Sequence, residues 1–234
     1  MRTSTAQGLA LAVASTLAPA PRGGSRTVGA MLRLYRVPHS PNVDRVALAL
    51  AYQGLEVESI TVDPGDRAPV RAVSGQDLVP VLVEGGTVIH DSSRILQYLD
   101  RRVPDRPLFP ADAAARATVD VFIDWFNRAW KHEPNRIADA LEHGDADPAD
   151  LARWTDRVRR RLDWFDALLT DRDHLFGAFG AADCVAWPFL RYAVAIDPDD
   201  DELFHRVLNE RMTLTDRHAR LRRWIDRMAQ RPQV

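Results

Sequence analysis

The chain has 234 residues, 46% of them hydrophobic and 27% charged, and a formal net charge of −2 at pH 7. This length and composition indicate a globular protein with enough apolar material for two folded domains. Because nucleic-acid binding normally requires a basic face or a strongly positive balance, we expect no nucleic-acid partner. The only cysteine, Cys184, excludes an intrachain disulfide and a cysteine-based metal cluster.

Residues 1–30 differ in composition from the rest of the chain and contain an apolar run from Leu9 to Leu17. The run is too short to span a membrane and only Arg2 is positive before it, so the match to a secretory leader is superficial. We interpret 1–30 as a disordered leader or, preferably, a misassigned start, because Met31 directly precedes the first predicted strand. A cytoplasmic location without membrane contact is expected on this interpretation.

The first predicted elements are a strand over Leu32–Val37 and a helix that begins at Pro41 and ends at Gly54. The helix is indicated by apolar residues at the spacing of one face, namely Val43, Val46, Ala47, Leu50 and Ala51. Ser40 then lies at the helix start, where unpaired N–H groups and the helix dipole favour an anion such as a thiolate. A Ser–Pro pair is also a common N-cap, so Ser40 alone predicts either a cap or a thiol-binding hydroxyl.

A second strand, a hairpin and a helix follow. Alternating residues predict a strand over Glu56–Val62, then an irregular segment. A hairpin pairs Pro80–Glu84 with Thr87–His90 around a Gly-Gly turn. The next helix covers Ser92–Arg102, and Asp91 and Ser92 occupy its capping positions.

The second half of the chain is predicted to be a helix bundle. Residues 104–112 contain three prolines and few apolar residues, which indicates a stiff connection between unlike halves. Three apolar stripes at helical spacing follow: Val119, Phe122, Ile123, Phe126 and Trp130; Leu151, Trp154, Val158, Leu162, Phe165 and Leu169; and Leu221, Trp224, Ile225 and Met228. We therefore predict an α/β domain over 31–106, a linker over 107–112 and an all-α domain over 113–234.

Several motifs resemble those of the glutathione S-transferase superfamily. Leu78-Val79-Pro80-Val81-Leu82 is similar to the family's cis-proline segment, and Asp91-Ser92-Ser93-Arg94 to the acidic-Ser pair that opens its γ-glutamyl-binding helix. Gly177 through Asp183 resembles the capping box of the C-terminal domain, with Gly180 replacing the usual hydroxyl residue at a cost of roughly a few tenths of a kcal/mol relative to Ser. The resemblance, which extends to the last helix, implies a thioredoxin-like domain followed by a helical bundle over 31–234.

The resemblance also implies the glutathione-binding residues. Pro80, in the cis form, turns the Val79 backbone towards the cysteinyl part, Asp91 pairs with the amino group and Ser92 with the carboxylate. Independently, a helix start with a free hydroxyl suits a carboxylate and a neighbouring Asp suits an ammonium group. Asp and Ser are also among the commonest capping residues, so the pair alone leaves an ordinary cap equally open.

The residue that activates the thiol is expected to be Ser40, with Tyr35 as the alternative. Ser40 matches the position used by serine-type members, whereas Tyr35 lies on the strand where tyrosine-type members place their hydroxyl, and packing is an equal alternative for it. His39 is interpreted as a loop residue. Because Ser40 and Val43 stand where a Cys-x-x-Cys motif would have its cysteines, dithiol redox chemistry is disfavoured.

The implied function is the activation of a low-molecular-weight thiol, with glutathione or another thiol as co-substrate, for attack on a small-molecule electrophile. Phe122, Trp125 and Phe126 are expected to line the electrophile pocket. The alternative is a non-catalytic thiol-binding or protein-interaction module on the same fold. A homodimer is expected from family habit, and the spacing of the seven histidines predicts no metal site.

Overall fold

The computed structural model describes residues 31–234, so the interpretation of 1–30 lies outside the described residues. The first half contains β1 (Leu32–Arg36), α1 (Pro41–Gln53), β2 (Val57–Thr61), α2 (Ala68–Ser74), β3 (Val81–Glu84), β4 (Thr87–His90) and α3 (Ser92–Arg102). The second half contains α4 (Ala113–Trp125), a π-helical turn (Phe126–Trp130), α5 (His132–His143), α6 (Pro148–Leu168), α7 (Ala181–Leu190), α8 (Leu203–Arg211) and α9 (Ala219–Ala229). The predicted order of an α/β half and an all-α half is confirmed.

The four strands form one mixed sheet in the order β2-β1-β3-β4. β1 pairs parallel with β2 and antiparallel with β3, and β3 and β4 form the predicted hairpin. Because side chains alternate along a strand, Leu32 and Leu34 of β1 join the large core that contains the apolar faces of α1 and α3. Tyr35 and Val37 point to the opposite face, where they pack with Val70 of α2 in a separate small cluster.

The segment between β2 and β3 contains the short helix α2, so the expectation of an irregular segment was wrong. A proline lies in the first turn of α2, and Gly75 ends it in the left-handed region with a φ of 74°. The helix has 7 residues and buries only Val70. It therefore lacks the apolar stripe from which helices are recognised in a sequence.

The apolar stripes predicted in the second half are almost entirely buried, which confirms the helix bundle. Four aromatic residues of the first two stripes form a cluster with Phe189 of α7, namely Phe122, Phe126, Trp130 and Phe165. Within it the rings of Phe126 and Trp130 are stacked with centroids 4.5 Å apart. None of the helices in the described part of the chain is both long and apolar enough to cross a membrane.

The π-helical turn between α4 and α5 presents side chains to two different parts of the structure. Its closing hydrogen bond runs from the Lys131 N–H to the Phe126 carbonyl over 3.1 Å, five residues back. Residues four apart lie on nearly the same side of this turn, as they do in an α-helix. Phe126 and Trp130 thus point into the bundle core, while Asn127 and Lys131 point towards the N-terminal half.

The linker is anchored to both halves. The Asp100 carboxylate accepts hydrogen bonds from the backbone N–H groups of Leu108 and Phe109 at 2.9 and 3.1 Å, and both side chains are buried. The Leu108 carbonyl in turn accepts from the N–H of Ala181 at 2.7 Å. The linker is therefore part of the core as well as a connection.

The start of α7 explains the glycine in the capping box. The Asp183 carboxylate accepts from the Gly180 N–H at 3.1 Å, as the motif predicts. A Cβ atom on Gly180 would lie 2.6 Å from the Leu108 carbonyl oxygen, which is closer than any real contact. The expectation that Ser would serve slightly better here was wrong, because the linker backbone fills the space that a side chain needs.

Candidate functional site

A cavity of about 550 Å³ opens between α1, the start of α3 and the π-helical turn. Residues of both halves line it: Asn42, Arg45, Gln76, Leu78, Val79, Pro80, His90, Asp91, Ser92, Arg94, Asn127 and Lys131. The structure thus brings Val79, Pro80, Asp91 and Ser92 together around one space. Its volume is in the range of small-molecule sites.

The Val79–Pro80 peptide bond is cis, as the sequence motif predicts. It lies immediately before β3, whose first residue, Val81, pairs with Tyr35 of β1 in the middle of the sheet. The central strands therefore hold this turn in place at the cavity wall. Its backbone is available there to an extended ligand.

Asp91 and Ser92 combine capping with access to the cavity. Oδ1 of Asp91 accepts from the N–H groups of Ser93 and Arg94 at 2.9 and 3.1 Å, while Oδ2 takes no part in these capping bonds. Asp91 has a φ of 72°, a left-handed conformation that is uncommon outside glycine and is enriched at ligand sites. Ser92 is 5% exposed and its Oγ lies 3.2 Å from Nη1 of Arg45. The pair therefore caps α3 and still presents a carboxylate oxygen and a hydroxyl proton.

Ser40 occupies the N-cap position of α1, but its hydroxyl makes no capping hydrogen bond. Its backbone is extended, with φ −70° and ψ 111°, and its side chain is half-buried. The hydroxyl is thus not committed to the helix start. Ser40 does not itself line the cavity, whereas Asn42, two residues further along the same turn, does.

The two other residues considered near this turn point elsewhere. Tyr35 is 7% exposed and lies in the small cluster under α2, on the opposite face of the sheet from the large core. His39 adopts a φ of 57° and its Nδ1 lies 4.0 Å from Oδ2 of Asp200 in the C-terminal half. Burial alone would raise the pKa of Asp200, but hydrogen bonds from His205 and Tyr192 lower it overall. His39 therefore faces an ionised carboxylate.

Arg45 lies beneath Ser92 and is 1% exposed. Its Nη1 donates to Ser92 Oγ at 3.2 Å and to Asn127 Oδ1 at 2.9 Å, and its Nε donates to the Val185 carbonyl at 3.1 Å. Nδ2 of Asn127 donates in turn to Ser93 Oγ at 3.1 Å. One guanidinium thus connects α1, α3, the π-helical turn and α7.

Lys131 adds a further cation to the cavity wall besides Arg45 and Arg94. Its Nζ lies 4.7 Å from the centroid of the Phe189 ring. Burial, together with the positive charge of Arg45, lowers the pKa of Lys131 to about 8, against the opposing effect of Asp91. The cavity consequently favours anionic ligands, with Asp91 as the place for one positive group.

The residues predicted for the electrophile pocket lie apart from this cavity. Phe122 and Trp125 line a second, apolar cavity of about 580 Å³ between α4 and α6, next to the exposed Trp164. Phe126 is fully buried in the aromatic cluster. Since the two cavities share no lining residue, the structure does not bring these three side chains to the predicted thiol site.

Cys184 is buried in α7, and burial raises the pKa of its thiol well above the ordinary value. It is therefore a packing residue, as its apolar surroundings predict. Residues 31–234 contain no group of three or more His, Cys, Asp or Glu side chains placed to hold a metal ion.

Sequence reasoning missed Arg45, Asn127 and Lys131. Arg45 interrupts the otherwise apolar run of α1, and Lys131 is the only lysine of the chain, so both carry a weak signal. Neither feature of the sequence shows which residues the side chain contacts. Asn42 belongs to the Ser40-Pro41-Asn42-Val43 turn, but the sequence does not show that Asn42 lines the cavity and that Ser40 does not.

Two family models match this chain. Residues 34–107 match the N-terminal domain of glutathione S-transferases, and residues 148–227 match their C-terminal domain. Together with the cis-proline turn and the capped α3, these matches show that the chain belongs to the glutathione S-transferase superfamily.

Individual relatives agree with this assignment. Glutathione S-transferase Z1 of Arabidopsis thaliana is 40% identical over 90 residues, which are 37% of this chain and only 41% of that protein. FtsZ-localized protein A of Caulobacter vibrioides is 28% identical over 156 residues, 62% of this chain and 68% of that one. The crystal structure of rice GST1 in complex with glutathione superposes with a TM-score of 0.69 at 26% identity, covering 86% of each chain.

Proposed function

We propose that the protein is a glutathione transferase that binds glutathione in the cavity between α1, α3 and the π-helical turn. The observation that carries this proposal is the convergence of Val79, Pro80, Asp91 and Ser92 on one cavity. The rice relative was crystallised in complex with glutathione, which supports the same ligand for this fold. The excess of cationic groups around the cavity suits a tripeptide with two carboxylates.

In this proposal the cysteinyl backbone of the ligand lies along Val79, and its γ-glutamyl end binds at Asp91 and Ser92. The Ser40 hydroxyl donates a hydrogen bond to the sulfur at the positive end of α1, which stabilises the thiolate. The thiol proton passes to water. The sulfur electron pair then forms a carbon–sulfur bond with the electrophile, and the leaving group departs with its bonding pair.

The second candidate is a binding module without turnover. It is favoured by the position of Ser40, which does not line the cavity although Asn42 does. FtsZ-localized protein A, a relative named for its location and not for a reaction, also makes this alternative worth testing. Under this alternative, thiol binding is retained and sulfur activation is absent.

Calorimetric titration with glutathione, cysteine and coenzyme A, followed by turnover assays on several electrophiles, separates the two candidates. Binding of glutathione with turnover supports the transferase, and binding without turnover on any electrophile supports the module. Preference for another thiol would replace glutathione as the co-substrate. Failure of every thiol to bind would contradict both.

Two further expectations accompany the proposal. We propose that the protein forms a homodimer, which sedimentation of the native protein tests. We also propose a cytoplasmic location, which cell fractionation tests, and N-terminal sequencing of the native protein would show where the mature chain begins.

A further inference from the structure

Arg45 is a buried cation that touches no carboxylate of residues 31–234. Every hydrogen-bond acceptor that it reaches there is neutral: a carbonyl, a hydroxyl and an amide oxygen. Its Nη2 is buried and makes no hydrogen bond within the same residues. The carboxylate of Asp91 acts on Arg45 only through space. An anion bound in the cavity would therefore provide the paired charge that a buried cation needs.

The guanidinium is held rigidly. Its central carbon lies 4.7 Å from the centroid of the Phe189 ring and 5.5 Å from that of Phe126. These two rings and the three acceptors fix the guanidinium beneath Ser92. Burial lowers the pKa of Arg45 to about 9, which still leaves the group protonated at neutral pH.

The contact with Ser92 determines what the Ser92 hydroxyl can do. Because Nη1 of Arg45 donates to Ser92 Oγ, the oxygen already accepts a hydrogen bond and its own proton is directed elsewhere. Ser92 lines the cavity at the N-terminus of α3, where the positive end of the helix dipole also favours an anion although Asp91 already accepts from the N–H groups of Ser93 and Arg94. A carboxylate bound there would meet a hydroxyl donor with a positive charge directly behind it.

We propose that Arg45 is a positioning residue that makes the site selective for thiols carrying the γ-glutamyl α-carboxylate, by orienting the Ser92 hydroxyl and placing a fixed charge beneath it. This role rests on the proposed glutathione-binding function. Hydrogen bonds to charged groups contribute about 1.5–3 kcal/mol, so the carboxylate should improve affinity by about tenfold or more.

The test compares glutathione with γ-aminobutyryl-cysteinyl-glycine, which lacks only that carboxylate, by calorimetric titration. Wild-type protein is expected to prefer glutathione by at least about tenfold. In Arg45→Met the preference for glutathione over the analogue should fall to less than about a third of the wild-type ratio, while the affinity for the analogue itself stays within about threefold. A merely structural role of Arg45 would weaken both ligands by the same factor.

Arg191→Met is the matched control, because Arg191 is a half-buried arginine outside the cavity that pairs with Asp44 at 3.3 Å. It should retain the full preference for glutathione. If Arg45→Met does not fold, as judged by circular dichroism, Asn127→Ala replaces it, since it keeps the charge and removes one acceptor of the guanidinium. The preference should then fall partially.

The outcomes distinguish a failure of the proposed function from a failure of the role assigned to Arg45. If wild-type protein binds neither ligand, the proposed function and this role of Arg45 both fail. If wild-type protein prefers glutathione but Arg45→Met or Asn127→Ala leaves the ratio unchanged, only the role of Arg45 is overturned.

Discussion

The backbone N–H of Ala181 donates to the carbonyl of Leu108 over 2.7 Å and so brings the start of α7 against the linker. The same close approach leaves no space for a side chain on Gly180. Below it, Asp183 accepts from the indole N–H of Trp224 at 2.9 Å and the backbone N–H of Leu175 at 3.1 Å. The linker, α7 and α9 therefore meet at one capping box.

Replacing Gly180 is expected to destabilise the protein. In Gly180→Ala the new methyl group collides with the Leu108 carbonyl, and overpacking of this kind typically costs about 1–3 kcal/mol. Urea unfolding measures the change. Gly86→Ala is the control, because a Cβ there meets nothing within 4 Å. Equal midpoints for the two variants would contradict the collision.

Ser40→Ala should impair turnover more than binding. Loss of one donor to a developing anion typically costs about a hundredfold in kcat, whereas the contacts at Val79 and Asp91 remain. Steady-state kinetics together with glutathione titration measures both effects. Tyr35→Phe should conjugate at the wild-type rate, because its ring packs under α2. Unchanged kcat in Ser40→Ala alongside a large loss in Asn42→Ala would transfer the role to Asn42.

Ligand affinity is expected to decrease above pH 8 because Lys131 loses its charge. Burial and the neighbouring Arg45 lower its pKa to about 8, with Asp91 opposing, so its cationic fraction falls as the pH rises through that value. S-methylglutathione, which has no ionisable thiol, is the appropriate ligand, and its affinity should fall about tenfold between pH 7 and 9. Calorimetry across this range measures the fall.

Lys131→Arg is the matched control for this pH effect. Arginine at this position keeps its charge to a higher pH than lysine. The amino group of the ligand and Arg45, whose pKa is lowered by burial to about 9, titrate in both proteins. The difference between the two pH profiles therefore isolates Lys131. Parallel profiles for the wild type and Lys131→Arg would show that Lys131 does not contribute.

Cys184 should be unreactive in the native protein. Its thiol is buried and its pKa is raised well above the ordinary value by burial, so almost no thiolate is available to an alkylating agent. Mass spectrometry after iodoacetamide treatment should find no adduct at neutral pH and complete modification in denaturant. Rapid native labelling would contradict the buried position.

The local elements were predictable because their signals are local. Pro41 and Gly54 bound α1 as expected, and Asp91 caps α3 as expected. The site was predictable only in part. The sequence does not show on which face of the sheet Tyr35 lies, and it does not show that Arg45 is buried among neutral hydrogen-bond acceptors. The contacts of Arg45 join residues up to 140 positions apart, so no local pattern contains them.

The π-helical turn makes the length of this segment as important as its composition. A π-helical turn closes over five residues where an α-helical turn closes over four, so it holds one extra residue between α4 and α5. Removing one residue, such as the exposed Arg128, would restore α-helical geometry and leave α5 nearly in register, with Lys131 still on the side of the cavity. Adding a residue would instead rotate everything beyond the turn by about 100° and take Lys131 away from the cavity. The segment could therefore lose one residue and keep both the aromatic cluster and the cavity, but it could not gain one.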